Sequence, residues 1–241
     1  MQFAPVLHAE WLKIRTLRSL LGALVAVFVT TTAFSALTGA SDTSGSEFDL
    51  LFTTQTGVYV GQIAAISFGA MAVSAEFRNG ALRLSLAAVP QRGHWFAAKM
   101  TAIALPALAV GLLTALASLF STRATLGPAA DGLTTGEQAR AVVGCGIYLM
   151  LMALFAAGLA TLLRSGVMTL SLLIPFILIV SFVIGDAAGT AVEFMPDRAG
   201  QVILQQTYDG PLGSWSGLGV TAVWAAAALL AGAWRLRRQD A

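Results

Sequence analysis

The 241-residue chain is 57% hydrophobic and 11% charged, with a mean hydropathy of +0.78 and a formal net charge of +2. A soluble domain needs about 25% charged residues to solvate its surface, so the composition excludes an ordinary soluble protein and indicates an integral membrane protein. The one cysteine, Cys145, excludes an intrachain disulfide and, set in an apolar run, reads as a small buried residue.

In chain order, the first element is the segment FAPVLHAEWLKIRTLRS. Phe3, Leu7, Trp11, Ile14 and Leu17 share one side at the helical period, while Lys13, Arg15 and Thr16 face elsewhere. Residues 1–19 are therefore expected to form a cytoplasmic amphipathic helix along the membrane surface, with Trp11 at the headgroups. Glu10 falls beside the apolar stripe, where anionic lipid offers it nothing. It is expected to pair with Lys13 or to meet another protein.

Six apolar segments reach the roughly 20 residues that cross a hydrocarbon core. They lie near 20–38, 57–75, 100–121, 141–163, 167–185 and 215–234. The first apolar run exceeds the ~7–15 residues of a signal-peptide core and is read as a retained helix. The fourth and fifth, separated by Arg164, Ser165 and Gly166, form a tight hairpin. No internal repeat interrupts the pattern, so residues 1–241 read as one all-α membrane domain with six transmembrane helices.

Basic residues favour cytoplasmic loops. With both termini cytoplasmic, eleven basic residues fall inside and only Arg123, Arg140 and Arg198 outside; most acids fall outside. Of the outer loops, Ala40–Thr56 is expected to be irregular. Thr134 and Glu137 form a capping-box pattern before the fourth span. The Ala191–Gln206 stretch is expected to hold a short helix at the outer surface, its length limited by Pro196.

The middles of the spans carry no charge, which counts against ion-coupled transport. Gln62, Ser67, Thr114, Ser118, Ser171 and Ser181 are their main polar groups, and most are expected to bond to their own helix backbone. Phosphate-loop, nucleophile-elbow and zinc-protease motifs are missing. His8 and His94, the only histidines, lie on cytoplasmic segments and make a poor metal pair. Gly57-x-x-x-Gly61 and the glycines at 217 and 219 read as close helix packing. No nucleic-acid partner is indicated.

The loop SAEFRNGALRLSLAAVPQRGHWFAAK, between the second and third spans, is the richest in charge. Glu76 is expected to pair with Arg78 or another nearby base. Asn79-Gly80 permits a turn. Ala81–Val89 is predicted helical, with Leu82, Leu86 and Val89 on one side, and Pro90 ends it. Trp95 and Phe96 suit a membrane interface. For Arg83, Arg92 and Lys99 taken singly, obedience to the charge rule accounts equally well for their placement.

AEWLKIRTLRS and AEFRNGALRLSLAAVPQRGHWFAAK together resemble the permease subunits of ABC-2 type ATP-binding-cassette transporters. In that family the inner loop reads Glu-x-x-x-Gly-Thr, a leucine-containing helix, Pro, x-Arg and a later Lys. Glu76, Gly80, Leu86, Pro90, Arg92 and Lys99 match, and Ala81 stands where Thr is usual. The resemblance implies a dimer of permease subunits, identical or not, docked on two copies of a separate ATP-binding subunit. ATP and Mg2+ would belong to that partner, so this chain is expected to bind no cofactor and to be no enzyme itself. The contacts implied are Glu10, Lys13 and Arg15 from the first helix and Glu76, Arg78, Gly80, Arg83, Leu86, Pro90, Arg92 and Lys99 from the loop. A path at the subunit interface is implied along the second and fifth spans, with Gln62, Ser67, Ser171 and Ser181 as candidate lining groups, although packing explains each taken alone. Export of an apolar or amphiphilic cargo across a bacterial cytoplasmic membrane follows from the resemblance and the composition. The competing classes are a non-transporting scaffold or immunity protein, and a lipid enzyme using His94 or Asp186.

Overall fold

Helix-favouring apolar runs become helices wherever a neighbour buries them. The computed structural model describes residues 3–41, 49–78, 80–127, 132–180, 189–208 and 210–238; all elements among them are helical. They are α1 (Phe3–Thr16), α2 (Arg18–Ala40), α3 (Leu50–Gln55), α4 (Val58–Ser74), α5 (Ala81–Ala88), α6 (Arg92–Leu126), α7 (Thr135–Leu163), α8 (Gly166–Pro175), α9 (Pro196–Gln201) and α10 (Ser214–Arg238). A 3-10 turn, Ala75–Phe77, extends α4, a π turn, Phe176–Val180, extends α8, and 3-10 turns Gly189–Phe194 and Val202–Leu204 flank α9.

α7 is the axis of the bundle. It packs against α4, α6 and α10, while α2 covers α4 and α6 and α1 lies against α6. Small residues set these distances. A Cβ on Gly57 would stand 1.9 Å from the Thr31 carbonyl oxygen, and one on Gly61 would stand 1.8 Å from Thr31 Oγ1. Close approach of α2 and α4 therefore requires both glycines. Gly217 meets Ala199 in the same way, whereas Gly219 faces open space.

Five helices among the described residues are long and apolar enough to cross a membrane: Arg18–Ala40, Leu50–Phe77, Arg92–Leu126, Thr135–Leu163 and Ser214–Arg238. The segment expected as a span at 167–185 is a shorter apolar helix that runs into the π turn; Ser181 and Asp186 lie outside the described residues. The hairpin before it has a local cause. Arg164 takes the left-handed conformation at φ 56° to end α7, and the Ser165 side chain accepts from the Met168 N–H to start α8.

Two loop expectations need correction. Leu50–Gln55, expected to be irregular, is helical because Asp49 accepts from the Phe52 N–H at 2.8 Å while Leu50 and Leu51 are buried. The short helix expected within Ala191–Gln206 is α9, buried where the outer surface was expected, and its boundary is Pro196. That proline starts α9 at a position needing no N–H donor, and Pro196, Asp197, Ala199, Gly200 and Gln201 are all buried. The capping box at Thr134 and Glu137 forms as expected.

Candidate functional site

Glu10 and Lys13 stand one helical turn apart on α1, so their side chains are neighbours. Lys13 Nζ lies 2.8 Å from Glu10 Oε1 and 2.9 Å from Glu76 Oε1, at the end of α4. Lys99, on the first turns of α6, lies 2.8 Å from the same Glu76 oxygen and 2.7 Å from Glu10 Oε2. Two carboxylates and two ammoniums thus close a ring of alternating sign and zero net charge. Ser85 of α5 donates to Glu76 Oε2 at 3.0 Å and accepts from Lys13 at 3.3 Å. Glu10, Glu76 and Lys99 are at most 3% exposed. Removing such groups from water costs several kcal/mol per ion, which only close opposite charges offset. Burial alone would lower the Lys13 pKa, but its hydrogen bonds to Glu10 and Glu76 outweigh that and raise it above 10.5.

The ring ties α1, α4, α5 and α6 together, and an apolar layer adds α10. Leu82, Trp95 and Leu236 form a buried cluster, with Leu86 and Val89 packed on it. Arg92 donates to the Leu236 carbonyl at 2.8 Å, placing a cation at the carbonyl end of α10. Gly80 enters α5 at φ 73°, a conformation that glycine adopts without strain. Between α1 and α5 runs a groove of about 560 Å³, lined by Pro5, Val6, Leu84, Ala88 and Trp95 and by Glu10 and Lys13 of the ring. The buried Trp95 Nε1 has no hydrogen-bond partner among the described residues.

A second polar group sits deep in the bundle. Gln62 accepts from the Tyr148 hydroxyl and, at 3.3 Å, from Gln201 Nε2, which also donates to the Tyr148 oxygen at 3.2 Å. All three are buried. Asp197, one turn before Gln201 on α9, is 2% exposed. It lines, with Arg198 and Gln62, a cavity of about 360 Å³ between α2, α4, the π turn and α9.

A family model described as ABC-2 family transporter protein matches residues 6–188. The chain belongs to the ABC-2 transporter family. It is accordingly a multi-pass membrane protein. No curated protein matches it. The matched stretch of this ABC-2 transporter chain contains the whole ring and the α5 loop. It stops before α9 and α10, so Asp197, Gln201 and Leu236 lie beyond it.

Of the residues singled out by sequence, the ABC-2 chain gathers Glu10, Lys13, Glu76 and Lys99 into one ring. Gly80, Leu86 and Arg92 shape and hold α5, and Pro90 follows its end. Arg15, Arg78 and Arg83 are exposed and stand outside the ring. Glu76 therefore pairs with Lys13 and Lys99 rather than with Arg78, and Glu10 pairs with Lys13, as expected, and with Lys99. Trp95, expected at a membrane interface, is 2% exposed because α6 begins at Arg92 and turns the indole onto α5. His8 and His94 are both exposed, and the described residues hold no cluster of metal ligands.

The four path candidates are not brought together. Gln62 reaches the interior cluster, Ser67 is half-buried and bonds back to the Ile63 carbonyl, Ser171 is exposed on α8, and Ser181 lies outside the described residues. Thr114 and Ser118, two of the six span polar groups of which most were expected to bond to their own helix, have buried hydroxyls without a partner among the described residues. Asp197 is buried although it lies on α9, outside the spans whose middles carry no charge. Tyr148, Gln201 and Asp197 were missed; the spacing of Asp197 and Gln201, four residues apart behind a helix-starting Pro196, was the available signal.

Proposed function

We propose that the chain is the permease subunit of an ATP-driven exporter of apolar or amphiphilic cargo. Two such subunits, each a single membrane domain with six spans and both termini cytoplasmic, work with a separate ATP-binding subunit in a bacterial cytoplasmic membrane. ATP and Mg2+ belong to that partner, and this chain binds no cofactor.

The ring of Glu10, Lys13, Glu76 and Lys99 is the observation that carries this reading. A bundle needs no charges at that place for stability, since a buried ion pair is weak evidence of stabilisation. What the ring does achieve is connection: α1, α5, α4 and α6 share one set of short charge-assisted bonds. A push on α5 then moves the ends of two long apolar helices together. Leu84, 75% exposed on α5, and the groove beside it supply apolar surface for a soluble partner.

The test is a mild-detergent pull-down of the tagged chain from its native membrane, with an ATPase assay on what accompanies it. The expected result is a stoichiometric phosphate-loop ATPase, lost on deletion of Ala81–Pro90 and uncoupled from transport by Leu84→Asp or Arg83→Glu. These exposed positions are better probes than charge reversal at Glu76, which would leave three cations facing one carboxylate. A folded, abundant chain with no ATPase would overturn the proposal in favour of a scaffold or immunity protein.

A further inference from the structure

The cavity beside Gln62 carries two opposite charges in its wall, outside the ring at Glu10 and Lys99. Asp197 and Arg198 both line it, and both lie close enough to Tyr59 to act on it electrostatically. The remaining wall is largely apolar, with Phe34 from α2 and Ile177 and Leu178 from the π turn. π turns recur at functional sites because they displace side chains from the regular helical register. The volume, about 360 Å³, falls within the range of small-molecule sites, roughly 300–1,000 Å³. Ionisable groups within a membrane bundle are costly and are kept where they meet a ligand or a path.

We propose that this cavity is a headgroup site for a zwitterionic amphiphile, with Asp197 receiving the ammonium and Arg198 the acidic group. Gln62 and the Tyr59 hydroxyl complete the polar end, and the chain of the ligand lies against Phe34 and the π turn. A singly charged amphiphile meets one attractive and one repulsive group there. A zwitterion of matching polarity meets two attractive ones, in surroundings where water screens little. The site rests on its own geometry; its role as a cargo site rests on the permease reading above.

The experiment uses the full chain purified in an uncharged maltoside and three probes: dihexanoyl-phosphatidylethanolamine, dihexanoyl-phosphatidylglycerol and dodecylammonium. Calorimetric titration is expected to give the zwitterion at least tenfold tighter binding than either singly charged probe. Asp197→Asn should move the preference toward the anion, and Arg198→Gln toward the cation, each weakening the zwitterion about tenfold. A merely structural role would lower all three affinities together. Should Asp197→Asn fail to fold, Val60→Trp fills the cavity from α4 without touching the charges and should abolish binding. Equal affinities for the three probes, or unchanged preference in both charge variants, would overturn the proposal. In vesicles reconstituted with the partner ATPase, ATP-dependent transfer of the bound probe marks it as cargo, and binding without transfer marks a resident lipid. Either result upholds the site. Failure to find an ATPase removes the permease reading and leaves the binding result standing.

Discussion

Two polar groups are buried in this apolar bundle, and they are balanced in different ways. In the ring at Glu10 and Lys99, every charge touches an opposite one within 2.9 Å, and the sum is zero. At the other group, a neutral triad of Gln62, Tyr148 and Gln201 backs a carboxylate and a guanidinium that line an empty volume. Gln62 and Glu76 lie on the same helical stretch, 14 residues or roughly 21 Å apart at 1.5 Å per residue. The first arrangement joins elements, its charges closing on one another beside the groove between α1 and α5. The second spends little on joining elements and leaves space beside its charges. Similar residue types thus close on one another at one site and line an open cavity at the other.

The largest expected effect comes from unbalancing the ring. Lys99→Met leaves two buried carboxylates sharing Lys13 and should cost about 3–5 kcal/mol, read as a lowered thermal midpoint in detergent. Glu76→Met added to Lys99→Met leaves the Glu10–Lys13 pair neutral and should recover at least half of that loss. A double variant as unstable as the sum of the singles would show that charge balance is not what holds the ring.

The triad should respond more mildly, because its members are neutral. Tyr148→Phe removes the hydroxyl that donates to Gln62 and accepts from Gln201, and should cost about 1–2 kcal/mol. A loss matching that of Lys99→Met would erase the contrast between the two groups. A still smaller effect, about 1 kcal/mol, is expected from Arg92→Gln, which takes a cation from the carbonyl end of α10; protection of the α10 C-terminal amides from hydrogen exchange reports it.

Alkaline titration sharpens the comparison last. The Lys13 pKa is raised in the folded chain, first opposed by burial and then lifted by Glu10 and Glu76. Its contribution is therefore full below the ordinary value of 10.5 and lost as pH rises through the higher folded value. The thermal midpoint should hold to about pH 10 and then fall. Lys13→Arg, which keeps its charge there, should flatten the fall.

Local chemistry made much of this legible in the sequence. Gly80 and Pro90 bracket α5, Thr134 and Glu137 start α7, and the Arg164–Gly166 hairpin follows from three consecutive residues. The partners of Glu76 were not legible, because Arg78 is near in sequence while Lys13 and Lys99 lie 63 and 23 residues away. Only the packing of α1 on α6 brings them in. Asp197 and Arg198 look like ordinary loop charges for a related reason. What buries Asp197 is the packing of α9 against α7 and α10, and no periodicity over six residues announces that.

The bond from Arg92 to the Leu236 carbonyl spans 144 residues. At a synthesis rate of about 5–20 residues per second, α5 emerges roughly 7–29 s before the residue that completes its apolar backing. During that interval Trp95 and Leu82 lack their third partner. On the proposed docking at α5, a soluble subunit arriving early would meet an unfinished surface, since Leu236 completes the cluster under α5.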